Sequence, residues 1–408
     1  MQLVRSAKEL IRLSRPDDPV FLFRPHRANI AARWFAENFP GESYYAVKAN
    51  PAPHVLRALW DGGTRAFDVA SEHEVELIGT LFPDARMAFM HPIKNRRAIA
   101  RAYYEFGVRR FVLDNLDELD KILEATGRAG DLTLVVRIGV SNEGSTLPLT
   151  GKFGVPERDA PDLLRATRAY ADELGVSFHV GSQALSPTAW RSAMAHVSSL
   201  IVAAGVTVDL VDVGGGFPSV YDMHTPPPLT DYAYAVAEAF EDMMVLENAD
   251  LWCEPGRALC AESESLLCRI EGVKPGALYL NDGGFGALHD AVRERWSYPA
   301  RAFTRDGRDA DGPLVPYTVY GPTCDSADCF PDTVMLPAGL REGDYLEFGN
   351  VGAYGRAIAG RFNGFGDFLT VEAADSPWPT LYGASEMEPS ADEVSATVTQ
   401  FSRSYPYR

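Results

Sequence analysis

"SYYAVKANPAPHVLRALWDGGTRAFDVASEHEVELIGTLFPDARMAFM" occupies residues 43–90. It contains three short apolar runs, SYYAV (43–47), AFDVA (66–70) and MAFM (87–90). Between them the apolar residues recur at helical spacing, as in APHVLRALWDGG (52–63). Short apolar runs alternating with helix-length segments mark parallel βα units. In SEHE, Ser71 and Glu74 have the S-x-x-E spacing of a capping box, which starts the second of these helices.

The same rhythm extends in both directions. VFLF (20–23) precedes it, and RFVL (110–113), LTLVVRI (132–138), VSFHV (176–180) and VDLVDV (208–213) follow. Eight runs over roughly 200 residues predict a closed (β/α)8 barrel, which needs about that length. After residue 260 the texture changes. SLLCRIEGV, GALYLNDG, YTVYGP, DTVMLP and DYLEFGNVG are short and strand-like, with Gly, Pro and Asp turns between them. The expected organisation is therefore α/β: a barrel over 18–260, and a mostly β domain over 261–408 that includes residues 1–17. RDGRDADGP (305–313) reads as an exposed loop, and ASEMEPSADEVSATVTQ (384–400) as a polar, partly mobile tail.

Composition removes several function classes. The chain has 408 residues, 46% of them hydrophobic, and a formal net charge of -18. Nucleic-acid phosphates need a positive surface, so no nucleic-acid partner is expected. The acidity fits a cationic substrate, although plain solubility produces it too. The five cysteines are odd in number and include no C-x-x-C, so neither a disulfide framework nor structural zinc is expected, and no metal site is proposed. No apolar stretch has the length of a signal core or a membrane span, so a cytoplasmic protein without membrane contact is expected.

Chemistry in such a barrel gathers at the C-terminal ends of the strands. Lys48 follows SYYAV directly. Partial desolvation there makes its amine suited to a Schiff base; the plain alternative is a surface lysine. Asp68 and Arg137 end later runs. His179, between Phe178 and Val180, could stack on a flat ligand, or it could be a packed core residue. Gly214 to Gly216 strip one bend of side chains, letting backbone N–H groups approach an anion. The spacing is not G-x-G-x-x-G, so no dinucleotide is indicated. In CEPGR, Glu254 could hold a pyridine nitrogen protonated and Arg257, beside Gly256, could close an anion site. Tyr354 in NVGAYGRA is a further candidate phosphate donor. Aldehyde anchor, ring stack, phosphate bend and ring-nitrogen carboxylate together match pyridoxal 5'-phosphate.

YYAVKAN, FDVAS, FHVGSQ, DVGGGFPS, CEPGR, LNDGGFG, GPTCDSAD and FGNVGAYGRAIAGRFNGF resemble the signature segments of the alanine-racemase-fold (fold type III) pyridoxal-phosphate decarboxylases. Within these the chain is most similar to the ornithine/lysine/arginine decarboxylase group, over residues 18–368. The resemblance implies that Lys48 carries the cofactor, Asp68 and Arg137 line it, and His179 stacks on its ring. Ser182, Gly215, Gly216, Gly256, Arg257 and Tyr354 would hold the phosphate side, and Glu254 would meet the ring nitrogen. It also implies a homodimer with shared active sites, in which Cys324 and Asp325 reach the partner's site. Cys324 would be the proton donor and Asp325 the anchor for the substrate's distal cation.

The segment after LNDGGFGAL is where the family sets substrate choice. The expected acid falls at Glu294, with Asp290 as its rival if the register slips; Arg293 and Arg295 beside it are unexpected next to a cation. The substrate order expected is ornithine, giving putrescine for polyamine synthesis, then lysine, then arginine or 2,4-diaminobutyrate. CDSAD, rather than C-E-S-x-D, disfavours diaminopimelate. A catalytically inactive regulator of the same family is the other class, and retention of both Lys48 and Cys324 favours an enzyme.

Overall fold

Eight parallel strands close into a barrel. They are β1 (Glu42–Ala46), β2 (Ala66–Val69), β3 (Arg86–Phe89), β4 (Arg110–Leu113), β5 (Thr133–Arg137), β6 (Glu173–Ser177), β7 (Leu210–Asp212) and β8 (Asp250–Cys253). β8 returns to β1 through Trp252 opposite Glu42 and Cys253 opposite Ser43. Helices such as Pro53–Asp61, Glu72–Leu81 and Arg96–Phe106 separate successive strands. Ser71 Oγ accepts the Glu74 N–H at 3.2 Å, as the capping box predicts. Glu74 reaches one residue further back than the motif requires and accepts from the Ala70 N–H at 2.6 Å.

Strand side chains alternate between faces, so every second residue enters the barrel. Tyr44, Ala66, Ala88, Val112, Val135, Leu210 and Trp252 pack together as one buried cluster. Tyr44 and Trp252 lie ring to ring at 4.4 Å. Gly175 leaves room in this layer, because a Cβ there would sit 3.0 Å from Leu210 and from Val135. Two residues further along the same strands come Asp68, Arg137, Ser177, Asp212 and Glu254. The alternation that fills the barrel with hydrocarbon thus places polar groups at its C-terminal end.

The computed structural model describes residues 1–142, 145–149, 151–222 and 224–382. Residues 32–218 and 226–259 form the barrel unit; residues 1–31, 219–225 and 260–382 form a β-rich unit. The tail at 384–400 lies outside the described residues.

VFLF, expected as the first barrel strand, is not in the barrel. Val20–Phe23 pairs antiparallel with Glu264–Lys274 and parallel with Leu369–Ala373, inside the β-rich sheet. The eighth barrel strand is instead Asp250–Cys253. A strand buried on both faces reads as an unbroken apolar run in either setting, so periodicity could not separate the two. Leu3–Val4 joins the far side of Leu369–Ala373. Glu264–Lys274 also pairs with Tyr345–Phe348, which pairs with Ala300–Phe303. Val4, Leu10, Ile11, Val20, Leu22, Leu267, Phe303 and Val371 make the core beneath. Most of the 305–313 loop is exposed, as expected. Among the described residues no helix is long and apolar enough to cross a membrane.

Arg24 is fully buried in the β-rich unit. Its guanidinium meets Glu347 at 3.0 Å, Asp375 at 2.8 Å and Ser265 Oγ at 2.7 Å. A buried ion pair gives little net stability, yet removing one member strands the other charge. Arg24→Met is expected to cost about 3–5 kcal/mol, read as a lower urea midpoint with unchanged slope; a loss below about 1 kcal/mol, the range of an exposed pair, would contradict this account.

Candidate active site

Lys48 sits in a short 3-10 turn, Val47–Ala49, directly after β1. Its Nζ lies 2.8 Å from Asp68 Oδ2. The lysine side chain is 46% exposed and that of Asp68 only 1%, so the amine is reachable from solvent while its counter-charge is fixed. Asp68 ends up here because Ala46 and Asp68 are register partners. Asp68 Oδ1 is buried without a hydrogen-bond partner.

His179 follows β6. Its Nδ1 accepts the Gly181 N–H at 3.0 Å, which leaves the proton of the neutral ring on Nε2. Its backbone oxygen accepts from Asn142 Nδ2 at 2.8 Å. Burial, then the charges of Arg137 and Lys48, lower its pKa to about 3. The ring is therefore neutral at physiological pH and offers a flat face without competing charge.

The glycine bend follows β7. Gly214 and Gly216 have φ of 68° and 108°. A Cβ on Gly214 would lie 2.1 Å from Phe178 O, and one on Gly216 2.5 Å from Gly181 O. Neither position admits a side chain. A Cβ on Gly215 would lie 2.7 Å from Glu254 O and 3.1 Å from His179 Nε2, so the bend, the histidine and the β8 end meet at one place.

Glu254 follows β8, and its N–H donates to Gly214 O at 2.9 Å. Its Oε1 is buried with no partner. Burial, then Asp212 and Asp68, push its pKa well above the carboxylate range, with Lys48 and Arg137 opposing. Gly256 lets the chain pass β1, since a Cβ there would be 3.0 Å from Ala49 Cβ. Arg257 is buried at the start of the short helix Arg257–Cys260. Ser182 begins a strand, Ser182–Ala184, paired with Ser145–Leu147.

The barrel end thus gathers Lys48, Asp68, Arg137, His179, Gly214 to Gly216, Glu254, Gly256 and Arg257. The donors fit pyridoxal 5'-phosphate: a reachable amine, a neutral imidazole face, a bend open to an anion, and an orphaned buried carboxyl oxygen for a ring nitrogen. Sequence reasoning missed one member. Asp212 is fully buried, and its Oδ1 accepts the Gly214 N–H at 2.9 Å. The signal was present in VDLVDV, where alternation puts Leu210 and Asp212 on the interior face.

The other expected residues belong to the β-rich unit. Cys324 and Asp325 are exposed on a loop lining a cavity of about 770 Å³, with Asp17, Asp18, Tyr320 and Asp367. The loop is held by Asp328, which is buried and accepts from the Gly284 N–H at 2.7 Å, the Thr323 N–H at 3.1 Å and Thr323 Oγ at 2.8 Å. Asn363 Oδ1 accepts the Cys324 N–H at 3.0 Å. Tyr354 caps the short helix Gly355–Ile358 with φ 63°. Asp290 is buried within the helix His289–Arg293, while Glu294 is only partly covered and lies 3.7 Å from Arg293. The guanidinium groups of Arg293 and Arg295 face solvent, and Arg295 pairs with Asp332 at 2.6 Å. Neither arginine needs to oppose a bound cation.

Comparison with known proteins agrees with this geometry. Residues 27–261 match the pyridoxal binding domain of the pyridoxal-dependent decarboxylases. A lysine/ornithine decarboxylase of Selenomonas ruminantium is 33% identical over 345 residues, which are 82% of this chain and 84% of that protein. An ornithine decarboxylase of Panagrellus redivivus is 34% identical, covering 79% of this chain and 77% of its own. The crystal structure of the arginine decarboxylase of Paramecium bursaria Chlorella virus, bound to agmatine, superposes with a TM-score of 0.78 at 26% identity, over 88% of this chain and 97% of that one. A matched cofactor domain over more than half the sequence, on a barrel whose strand ends carry the cofactor's counterparts, makes this chain a member of the pyridoxal-dependent decarboxylases.

Proposed function

We propose that the enzyme decarboxylates a basic L-amino acid, with L-ornithine, giving putrescine, as its preferred substrate. The observation that supports the reading most is the Lys48–Asp68 pair at 2.8 Å, at the same barrel end as the glycine bend and the orphaned Glu254 oxygen. Lys48 anchors the cofactor aldehyde, and Asp68 orients the amine. The neutral His179 ring would pack on the cofactor ring, Glu254 would meet the ring nitrogen, and the glycine bend with Arg257 and Ser182 would hold the phosphate. When bound, the cofactor supplies the electron sink that makes loss of CO2 from the α-carbon accessible.

The remaining parts come from the second subunit of a homodimer. Cys324 donates the proton that replaces CO2 on the α-carbon, and Asp325 attracts the distal cation. Asp328 fixes the loop that carries both, which a positioned acid requires. Asp290 or Glu294 adds the second negative group. A diamine product and an acidic surface in a cytoplasmic protein suit polyamine synthesis.

A CO2-release panel tests this reading. Ornithine is expected to show the highest kcat/KM, ahead of lysine, arginine and 2,4-diaminobutyrate. L-norvaline, which lacks the distal ammonium, is expected to fall by about 10- to 100-fold, the worth of one charge-assisted hydrogen bond. A panel led by diaminopimelate or by norvaline would overturn the basic-substrate assignment.

A further inference from the structure

Asp212 has no role in the chemistry described so far, yet it occupies a costly position. It is fully buried, and its Oδ2 has no donor. Asp212 is the register partner of Trp252, two residues before Glu254, and the Glu254 N–H donates to the O of the same Gly214 whose N–H Asp212 accepts, so the two carboxyl groups come to the barrel end side by side. Each has a buried oxygen without a partner, and two neighbouring carboxylates away from water strongly disfavour double ionisation. The Gly214 N–H and the charge of Arg137 on β5 oppose that cost at Asp212 only in part, and Asp68 adds to it. Tyr44 on β1 and Cys253 on β8 add no positive charge, Arg110 on β4 bears on Tyr44, and Lys48 after β1 pairs with Asp68 and bears on His179 and Glu254. Tyr44 Oη and Ser177 Oγ are likewise buried without partners.

We propose that Asp212 is a positioning residue for Glu254, and that the two carboxyl groups hold one shared proton at the barrel end, ready for the cofactor's ring nitrogen. The inference rests on the assignment of Glu254 to that nitrogen. Asp212 is itself fixed by the Gly214 N–H, the first residue of the glycine bend. One side chain thereby ties the anion bend to the ring-nitrogen carboxyl. With the cofactor bound, Glu254 would give up the held proton from its O–H to the ring nitrogen, and two carboxylates would be left beside that nitrogen. That extra negative charge favours the protonated ring, the form that accepts electrons. In support, burial pushes the Asp212 pKa up to about 7, with Asp68 adding to the shift.

Two measurements test this. Infrared spectroscopy of the apoprotein at neutral pH is expected to show a protonated-carboxyl band that disappears in both Asp212→Asn and Glu254→Gln. Asp282, whose pKa burial raises to about 8, contributes a separate band that stays in both variants. Nitrogen-15 spectra of the holoenzyme, reconstituted with ring-labelled pyridoxal phosphate, are expected to titrate at least about one pH unit lower in Asp212→Asn, a tenfold fall in the protonated-to-neutral ratio. Asparagine keeps the acceptor for Gly214 N–H, so the bend survives the change. If Glu254→Gln leaves the nitrogen signal unchanged, the Glu254 assignment fails and the proposal with it. If Glu254→Gln shifts the signal and Asp212→Asn does not, Asp212 is packing alone. If no protonated-carboxyl band besides that of Asp282 is lost in both variants, the shared proton is overturned even without holoenzyme.

Discussion

Lys48→Ala is expected to abolish both the visible absorbance of lysine-bound pyridoxal phosphate and the release of CO2. One amine does two things here, so the loss should reach or exceed the ~10⁴-fold upper end for a single proton-transfer group. Lys48→Arg is the sharper control. It keeps a cation for Asp68, whose side chain is 1% exposed and would otherwise lose its partner. It cannot form the imine, so stability should return while absorbance and activity do not. A retained band in either variant would mean that another lysine anchors the cofactor. Lys94 is poorly placed for that: its Nζ is buried, 3.0 Å from Glu118, and donates to Val112 O at 2.5 Å.

Cys324→Ala separates the cofactor from the proton. Absorbance should remain native, while amine release falls by ~10²–10⁴-fold, the contribution of one positioned acid. A drop in cofactor affinity of similar size would remove the donor role. Mixing this variant with Lys48→Ala tests shared sites. After free exchange at equal ratio, half the dimers are hybrids and each hybrid has one intact site, so about a quarter of native activity should return. No recovery after exchange is demonstrated would show that each site is built within one subunit.

Strand periodicity made the barrel readable, and strand ends showed which residues gather at the candidate site, because position in a barrel is set by alternation and chain order. Lys48, Asp68, His179, the glycine bend and Glu254 all follow from that rule. VFLF was misplaced because an internal strand of the β-rich sheet and a barrel strand are both covered on two faces. Asp212 was overlooked because it lies inside an apolar run and its significance comes from Glu254, on another strand. Nothing in GPTCDSAD singles out Asp328, and its three hydrogen bonds to Gly284 and Thr323 could not be seen in a linear string. The roles expected of Cys324 and Asp325 came from resemblance, since no periodicity assigns chemistry to a loop residue. Asp290 and Glu294 differ in burial, a distinction the five-residue helix creates and the sequence conceals.

The pairing of Val20–Phe23 sets a schedule for folding. This strand leaves the ribosome early, but its partners lie at Glu264–Lys274 and Leu369–Ala373. Arg24, next to it, is 241 residues from Ser265 and 351 from Asp375. At ~5–20 residues per second, the strand waits on the order of 10 to 50 s for its first neighbour, while every barrel strand has already emerged. During that interval four consecutive apolar side chains and a cation without counter-ions stand uncovered. Chaperone capture, and yield lost to aggregation when the chain is made too fast, should therefore trace to the N-terminal segment of the β-rich unit and not to the barrel.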